Sequence, residues 1–168
     1  MKLDLSRKAI LTFIVIFTIY SLFGSILEHV MYYFNAHGKT KILANPILTG
    51  FPLYGIGAYL VIAVHEAIGK TWNIILQFFV YAALMTMLEY YTGLIVGAGP
   101  KYHRKGDPVR TWDYSGDPYN YKGLVKLQNF ILFGFLSLLI TRIHQKLKEK
   151  VGLMFPDDNG QESDGDSE

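Results

Sequence analysis

Residues 74–97 read IILQFFVYAALMTMLEYYTGLIVG, a long apolar run in which Glu89 is the only charged residue. A helix of about 20 such residues spans the hydrocarbon core of a bilayer. A second long apolar run, residues 9–34, contains Glu28. An ionisable side chain in hydrocarbon costs roughly 3 kcal/mol or more, so a carboxyl group kept there marks a ligand site, an ion path or a buried pair. These two glutamates are the first candidates for function.

The composition of the whole chain also favours a membrane protein. Apolar residues make up 51% of the sequence and aromatic residues 15%, and the mean hydropathy is +0.21. The net charge of +2 is too small to indicate a nucleic-acid partner, and the cations lie between apolar runs rather than on one basic face. The chain has no cysteine, which excludes disulfides, thiolate metal sites and thiol nucleophiles.

Four apolar segments predict an all-α, polytopic integral membrane protein with about four transmembrane helices. The predicted spans are about 9–34, 51–68, 74–97 and 124–143, within a membrane domain of residues 1–150. The first run is longer than the roughly 7–15 apolar residues of a signal peptide, so we interpret it as a retained span. The second is short, and Pro52 suits the first turn of its helix. The acidic, polar residues 151–168 predict a disordered tail.

The segments between the spans predict the arrangement at each membrane face. Residues 69–73 allow only a tight hairpin between the second and third spans. Residues 98–123 are polar but rich in Trp and Tyr, which predicts a folded loop at the membrane interface. Lys and Arg divide equally between the two sides. We favour cytoplasmic termini because Arg7, Lys8 and the basic residues of 142–150 directly adjoin the span ends.

Chain direction predicts that the two glutamates lie at a similar depth. The first and third spans run in the same direction, and each glutamate is in the last third of its span, on the side of the long loops. The fourth span begins on that side with Lys126, Gln128 and Asn129. The residues 110–120 can fold over this level as a lid. Two carboxylates, a cation and two amides can therefore meet, either to face a ligand or ion, or only to pair with Lys126 or Arg110.

The other charged residues give weaker evidence about function than the two glutamates. Glu66 and Lys70 have the i,i+4 spacing of a surface ion pair on a helix. The sequence has no H-E-x-x-H motif, P-loop, G-x-S-x-G motif or glycine-rich nucleotide fingerprint, so we predict no metal and no cofactor. The chain is therefore not expected to hydrolyse ATP itself.

Several short motifs lie at characteristic spacings along the chain. In order they are Tyr20-Ser21-x-x-Gly24-x-x-x-Glu28, Pro52-Leu53-Tyr54-Gly55-x-Gly57-Ala58, Leu88-Glu89-Tyr90-x-Thr92-Gly93, Trp112-Asp113-Tyr114-Ser115, Pro118-Tyr119-Asn120 and Gly123. Over about residues 10–145, this order resembles the ABC-transporter type IV, or CmpB-type, permease family of bacterial integral membrane proteins.

The resemblance implies a transport subunit of the bacterial plasma membrane that works with an ATP-hydrolysing partner. The family's characteristic positions would be Glu28, Tyr54, Gly55, Glu89, Gly93, Trp112, Asp113, Tyr114 and Asn120. The chain departs from the family pattern at two places. Asn45-Pro46 stands near the place of an Arg-Gly pair, and Leu124 stands where the family has Arg after the glycine. Lys126 is the candidate to replace that arginine, with less geometric precision.

We therefore predict a permease-like membrane subunit that binds a substrate or cation through its intramembrane carboxylates. The predicted site comprises Glu28, Glu89, Tyr54, Trp112, Asp113, Tyr114, Asn120, Lys126 and Asn129. Four spans are few for a complete transporter, which favours a homo-oligomer or a larger complex in the lipid bilayer.

Two alternatives stay open at this point. In the first, the chain is a small structural or regulatory membrane protein, and no cavity reaches its paired acids. In the second, it is an intramembrane enzyme for a lipid-linked substrate. A desolvated glutamate would then act as acid or base, with His29 or Asp113 in reach.

Overall fold

The computed structural model describes residues 6–35, 46–99 and 112–155. Within these ranges the α-helices are α1 (Arg7–Asn35), α2 (Pro46–Ala67), α3 (Ile74–Val96) and α4 (Leu127–Gly152). A 3-10 turn at Gly69–Thr71 joins α2 to α3. Two short antiparallel strands, β1 (Asn120–Tyr121) and β2 (Val125–Lys126), precede α4. The predicted all-α class with a folded loop before the last helix is confirmed.

The outer surface of the bundle is that of a membrane protein. Helices α1, α3 and α4 contain apolar stretches long enough to cross a bilayer, whereas the apolar segment of α2, Phe51–Ala67, is shorter. Large apolar side chains point outward, among them Ile75, Phe135 and Ile95, which are 67%, 63% and 84% exposed. Exposed apolar area of this extent is unusual on a soluble monomer and is covered by lipid in a membrane.

Glycines set how closely the helices approach. The most extensive contacts join α1 to α2 and α3 to α4. A Cβ on Gly55 of α2 would lie 2.6 Å from the Phe17 ring of α1, and one on Gly134 of α4 would lie 2.7 Å from Cδ2 in the Phe78 ring of α3. Both distances are too short for real atoms, so these glycines let the helices pack at close range. The buried residues Val61, Tyr81, Met85 and Phe133 fill the space between α2, α3 and α4.

The hairpin between α2 and α3 is fixed by side-chain caps. Asn73 Oδ1 accepts a hydrogen bond of 2.9 Å from the Leu76 amide at the start of α3. Gln77 Nε2 donates to the carbonyl oxygens of Gly69 and Trp72, at 3.0 and 2.8 Å. The predicted ion pair between Glu66 and Lys70 is confirmed, and both side chains are exposed.

The helix bounds differ from the predicted spans at two places. Helix α2 begins at Pro46, so Pro52 lies inside the helix rather than in its first turn. Helix α4 begins at Leu127, because Leu124 and Val125 belong to the loop and are buried there, and it continues to Gly152. Of the predicted tail, residues 156–168 lie outside the described residues.

The fold makes a labelling prediction, since only α3 separates the hairpin from the loop before α4. The chain has no cysteine, so single cysteines at Lys70 and Gly116 give clean signals. Both sites are exposed, and a Cβ on Gly116 would meet nothing within 4 Å. With cytoplasmic termini, a membrane-impermeant maleimide should label Gly116→Cys in intact cells and Lys70→Cys only after lysis. Labelling of both variants in intact cells would contradict a membrane-spanning α3.

Candidate functional site

The centre of the candidate site is Glu89, which projects from α3 into the bundle and is only 6% exposed. Its Oε1 accepts hydrogen bonds from the Tyr114 hydroxyl at 3.0 Å and from Asn129 Nδ2 at 2.8 Å. Asn129 Nδ2 also donates to the Tyr114 oxygen at 3.0 Å. The three side chains form a closed triangle that ties α3, the loop and α4 together.

The second carboxylate oxygen of Glu89 has a different environment. Its Oε2 is buried, and within the described parts of the chain it has no hydrogen-bond partner. A buried polar atom without a partner costs about 1–3 kcal/mol, and such atoms are rare in native proteins. This oxygen is therefore a place where a proton, a cation or a water molecule would gain a favourable contact.

Glu28 approaches the same region from α1. It is partly buried and hydrogen-bonds the Tyr54 hydroxyl of α2. The charges of Glu28 and Glu89 act on one another and on both Tyr54 and Tyr114, which places the two carboxyl groups in one electrostatic environment. The two glutamates predicted to share a membrane level do lie together.

Tyr114 lies in the loop outside the helices and keeps its proton. Burial raises its pKa well above the ordinary value, and the negative charges of Glu89 and Glu28 raise it further. A phenol in this environment is a hydrogen-bond donor over the whole physiological pH range. The loop therefore offers Glu89 a fixed donor rather than a second anion.

Lys126 brings a cation to the site, but it is held by a loop residue. Its Nζ lies 2.7 Å from Asp117 Oδ2 and 4.6 Å from the centre of the Tyr114 ring. Its side chain is 13% exposed. Lys126 therefore forms its ion pair with Asp117 and not with Glu28 or Glu89. Arg110, the other cation predicted to pair with the glutamates, lies outside the described residues.

The remaining predicted site residues shape the loop. Trp112 is buried, and its indole N–H donates to the Leu124 carbonyl at 2.7 Å. Asp113 Oδ1 accepts from the Ser115 amide at 2.9 Å. Asn120 donates to the Asp117 carbonyl at 2.7 Å and accepts from the Gly123 amide at 3.0 Å. These three residues hold the loop in a shape that delivers Tyr114 and Lys126 to the bundle.

A cavity of about 60 Å³ lies beside this cluster, between α1, α2, α4 and the loop. The polar groups in its wall are Glu28, Tyr54, Tyr114, Lys126, Gln128 and Asn129. Glu89 is behind the wall, where it orients Tyr114 and Asn129. Trp112, Asp113 and Asn120 are not in the wall. The structure thus brings six of the nine predicted residues, Glu28, Tyr54, Glu89, Tyr114, Lys126 and Asn129, to one place, and the other three support the loop.

Comparison with known protein families identifies the family of this chain. The family described as "Putative ABC-transporter type IV" matches residues 15–161, which include every residue of the site. The chain belongs to this family. Comparisons with curated proteins and with solved structures find no match.

Two further residues of this ABC-transporter type IV protein contribute to the site in ways that sequence reasoning did not assign. Asp117 fixes Lys126. The sequence indicated that Asp117 could pair a cation on this side of the membrane, but not which one. Gly24 of α1 lies under the Tyr54 ring. Gly24 occurs in the motif that ends at Glu28. The motif did not reveal its contact with Tyr54, because that contact depends on how α1 is rotated relative to α2.

The contact at Gly24 gives a stability prediction. A Cβ at this position would lie 2.6 Å from the Tyr54 Cβ, so Gly24→Ala must displace Tyr54 or separate α1 from α2. We expect a loss of about 1–3 kcal/mol in the free energy of unfolding, measured by denaturant titration of the purified protein. Gly116→Ala is the matched control, because a Cβ there meets no atom within 4 Å. Equal stability of the two variants would show that Tyr54 is not held as described.

Proposed function

We propose that this protein is a membrane subunit of an ABC-transporter-related complex. In this proposal it binds a small cation, or the positively charged group of a larger solute, in the cavity beside Glu28 and Glu89. The observation that carries the proposal is the combination of this cavity with two carboxyl groups in one electrostatic environment. Two such groups in a low-dielectric interior are costly to keep ionised without positive charge, so they favour a bound cation.

The described contacts give each residue a role. Glu28 and Tyr54 face the cavity and would contact the cation. Glu89 orients Tyr114 and Asn129, whose hydroxyl and amide groups complete the wall. The loop is the lid, since its buried residues Trp112 and Leu124 pack against Gly93 and Ala98 at the end of α3.

The cavity favours binding over a purely structural pair of acids. A pair that served only to close the bundle would leave no space beside it, whereas Glu28 lies in the wall of a cavity. The cation at hand, Lys126, is bonded to Asp117 instead. The enzyme alternative gains no comparable support from Asp113, whose carboxylate is engaged in a loop turn. The side chain of His29, the other residue named for it, lies outside the described residues.

The family assignment supports a multisubunit complex in the bacterial plasma membrane. A chain of this size that lacks a nucleotide-binding motif would need an ATP-hydrolysing partner and a second copy or further membrane subunits to transport a solute.

Co-purification tests the proposal. The tagged protein is isolated in mild detergent, its partners are identified by mass spectrometry, and cation binding is measured by calorimetry. We expect a stoichiometric ATP-binding protein and a binding signal that Glu28→Gln abolishes while the complex survives. Glu66→Gln is the matched control, since this exposed acid pairs with Lys70 at the opposite face. A protein that purifies alone, binds no cation and aggregates when Glu28 or Glu89 is neutralised would instead support the structural alternative.

A further inference from the structure

The walls of the cavity allow the ligand class to be narrowed. Divalent cations such as Ca²⁺ take about 6–8 oxygen ligands with several carboxylates. Within the described residues no group of three His, Cys, Asp or Glu side chains could hold a metal ion. The wall combines one carboxylate, Glu28, with the aromatic rings of Tyr54, Tyr114 and Phe133. Carboxylates and aromatic faces together are the groups that bind organic ammonium ions.

The protein already places one ammonium group in this environment. Lys126 Nζ lies over the Tyr114 ring at 4.6 Å and bonds Asp117 at 2.7 Å, with little exposure to solvent. Glu28 and Tyr54 offer the same pair of groups, a carboxylate and a phenol ring, elsewhere in the wall. An alkylammonium ion could thus be held by contacts of the kind that Lys126 makes.

A second cavity, of about 30 Å³, adjoins the first and is almost entirely apolar. The two cavities share Gly24, Tyr54, Phe133 and Leu136, and the second extends to Ala58 and Met85. A cavity needs about 15 Å³ to hold one group of the size of a water molecule. The first cavity therefore has room for about four such groups and the second for about two.

From these observations we infer that the ligand is a short primary alkylammonium ion. This inference rests on the proposed function and names the ligand of that same site. The ammonium group lies beside Glu28 and the ring of Tyr54 in the polar cavity, away from the Tyr114 ring that Lys126 covers. The alkyl chain, about three to five carbons long, extends past Tyr54 into the apolar cavity.

Calorimetry on the purified protein in detergent tests this with methyl-, propyl-, butyl- and hexylammonium chloride at constant ionic strength. Burial of each methylene is worth about 0.8 kcal/mol, so affinity should rise about fourfold per carbon and stop rising beyond about butylammonium. Potassium chloride and n-butanol are the matched probes, one a cation without a chain and the other a chain without charge. Both should bind at least tenfold more weakly than butylammonium.

Two variants locate the two ends of the ligand. Glu28→Gln should abolish binding of every ammonium ion. Ala58→Val adds two methyl groups in the apolar cavity and should reduce butylammonium binding to the level of methylammonium, whose binding stays unchanged.

The other outcomes are distinguishable. If potassium binds as tightly as butylammonium, or if chain length has no effect, the inference is wrong while cation binding stands. If no cation binds to the wild-type protein, the inference and the proposed function both fail.

Discussion

Replacement of Glu89 by leucine should lower the free energy of unfolding by about 2–4 kcal/mol, because it removes the acceptor of the buried Tyr114 hydroxyl and of the half-buried Asn129 amide. The Tyr114 hydroxyl and the Asn129 amide both donate to Glu89 Oε1. Leucine fills a similar volume but accepts no hydrogen bond, so the Tyr114 hydroxyl loses its acceptor and the Asn129 amide keeps only its bond to the Tyr114 oxygen. The loop keeps its packing at Gly93 but loses the Tyr114 contact with α3, so it should loosen at the same time.

Glu89→Gln separates the hydrogen-bond role from the charge. Glutamine keeps a carbonyl oxygen for Tyr114 and Asn129, so its free energy of unfolding should stay within about 1 kcal/mol of the wild type. Cation affinity should nevertheless fall at least tenfold, because glutamine cannot become negatively charged behind the cavity wall when a cation binds. Unfolding is followed by circular dichroism in a denaturant titration, and binding by calorimetry on the same samples.

A surface acid supplies the control for both variants. Glu66→Leu removes an exposed carboxylate that pairs with Lys70 at the other membrane face, and such pairs contribute about 0–1 kcal/mol. If Glu89→Leu costs no more than Glu66→Leu, the triangle of Glu89, Tyr114 and Asn129 does not hold the loop. If Glu89→Gln binds cations as well as the wild type, Glu89 has a structural role only.

The helices and the side of the bundle on which the two glutamates lie could be predicted, because both follow from the order and length of the apolar segments along the chain. Apolar length determines where a chain can cross a bilayer, and alternating direction places Glu28 and Glu89 toward the same face. The helices α2 and α3 are apolar all round, so their sequences carry little information on which side faces a neighbour. The contact of Gly24 with Tyr54 could therefore be found only from the packed structure.

The loop was the least predictable part of the site. Leu124 and Val125 look like the start of a membrane helix, yet they are buried beside Trp112 and in the β1–β2 ladder. Tyr119 and Lys122 adopt positive φ angles of 55° and 56°, which residues other than glycine rarely adopt. Such conformations depend on the surrounding hydrogen bonds, so the pairing of Lys126 with Asp117 was not readable from residue spacing.

Trp112 gives the second large expected effect, since this residue packs the loop before α4 against the bundle. Its buried ring packs at Gly93 of α3, with Leu124 beside both residues, and its indole N–H bonds the Leu124 carbonyl. Trp112→Ala should lower the free energy of unfolding by about 3–5 kcal/mol, the usual cost of truncating a buried tryptophan. Trp112→Phe keeps most of the packing and loses the hydrogen bond, so about 1–2 kcal/mol is expected.

Hydrogen exchange shows whether the loss is local to the lid. The Gly99 amide donates to the Trp112 carbonyl and the Tyr114 amide to the Gly123 carbonyl, both within 3 Å. In Trp112→Ala these two amides should exchange at least tenfold faster, while amides in the middle of α1 and α2 keep their rates. Trp72→Phe, in the hairpin at the opposite face, is the matched control and should leave the loop amides unchanged. Unchanged exchange in Trp112→Ala would mean that the other contacts of the loop, among them the Tyr114–Glu89 bond, hold it without the tryptophan.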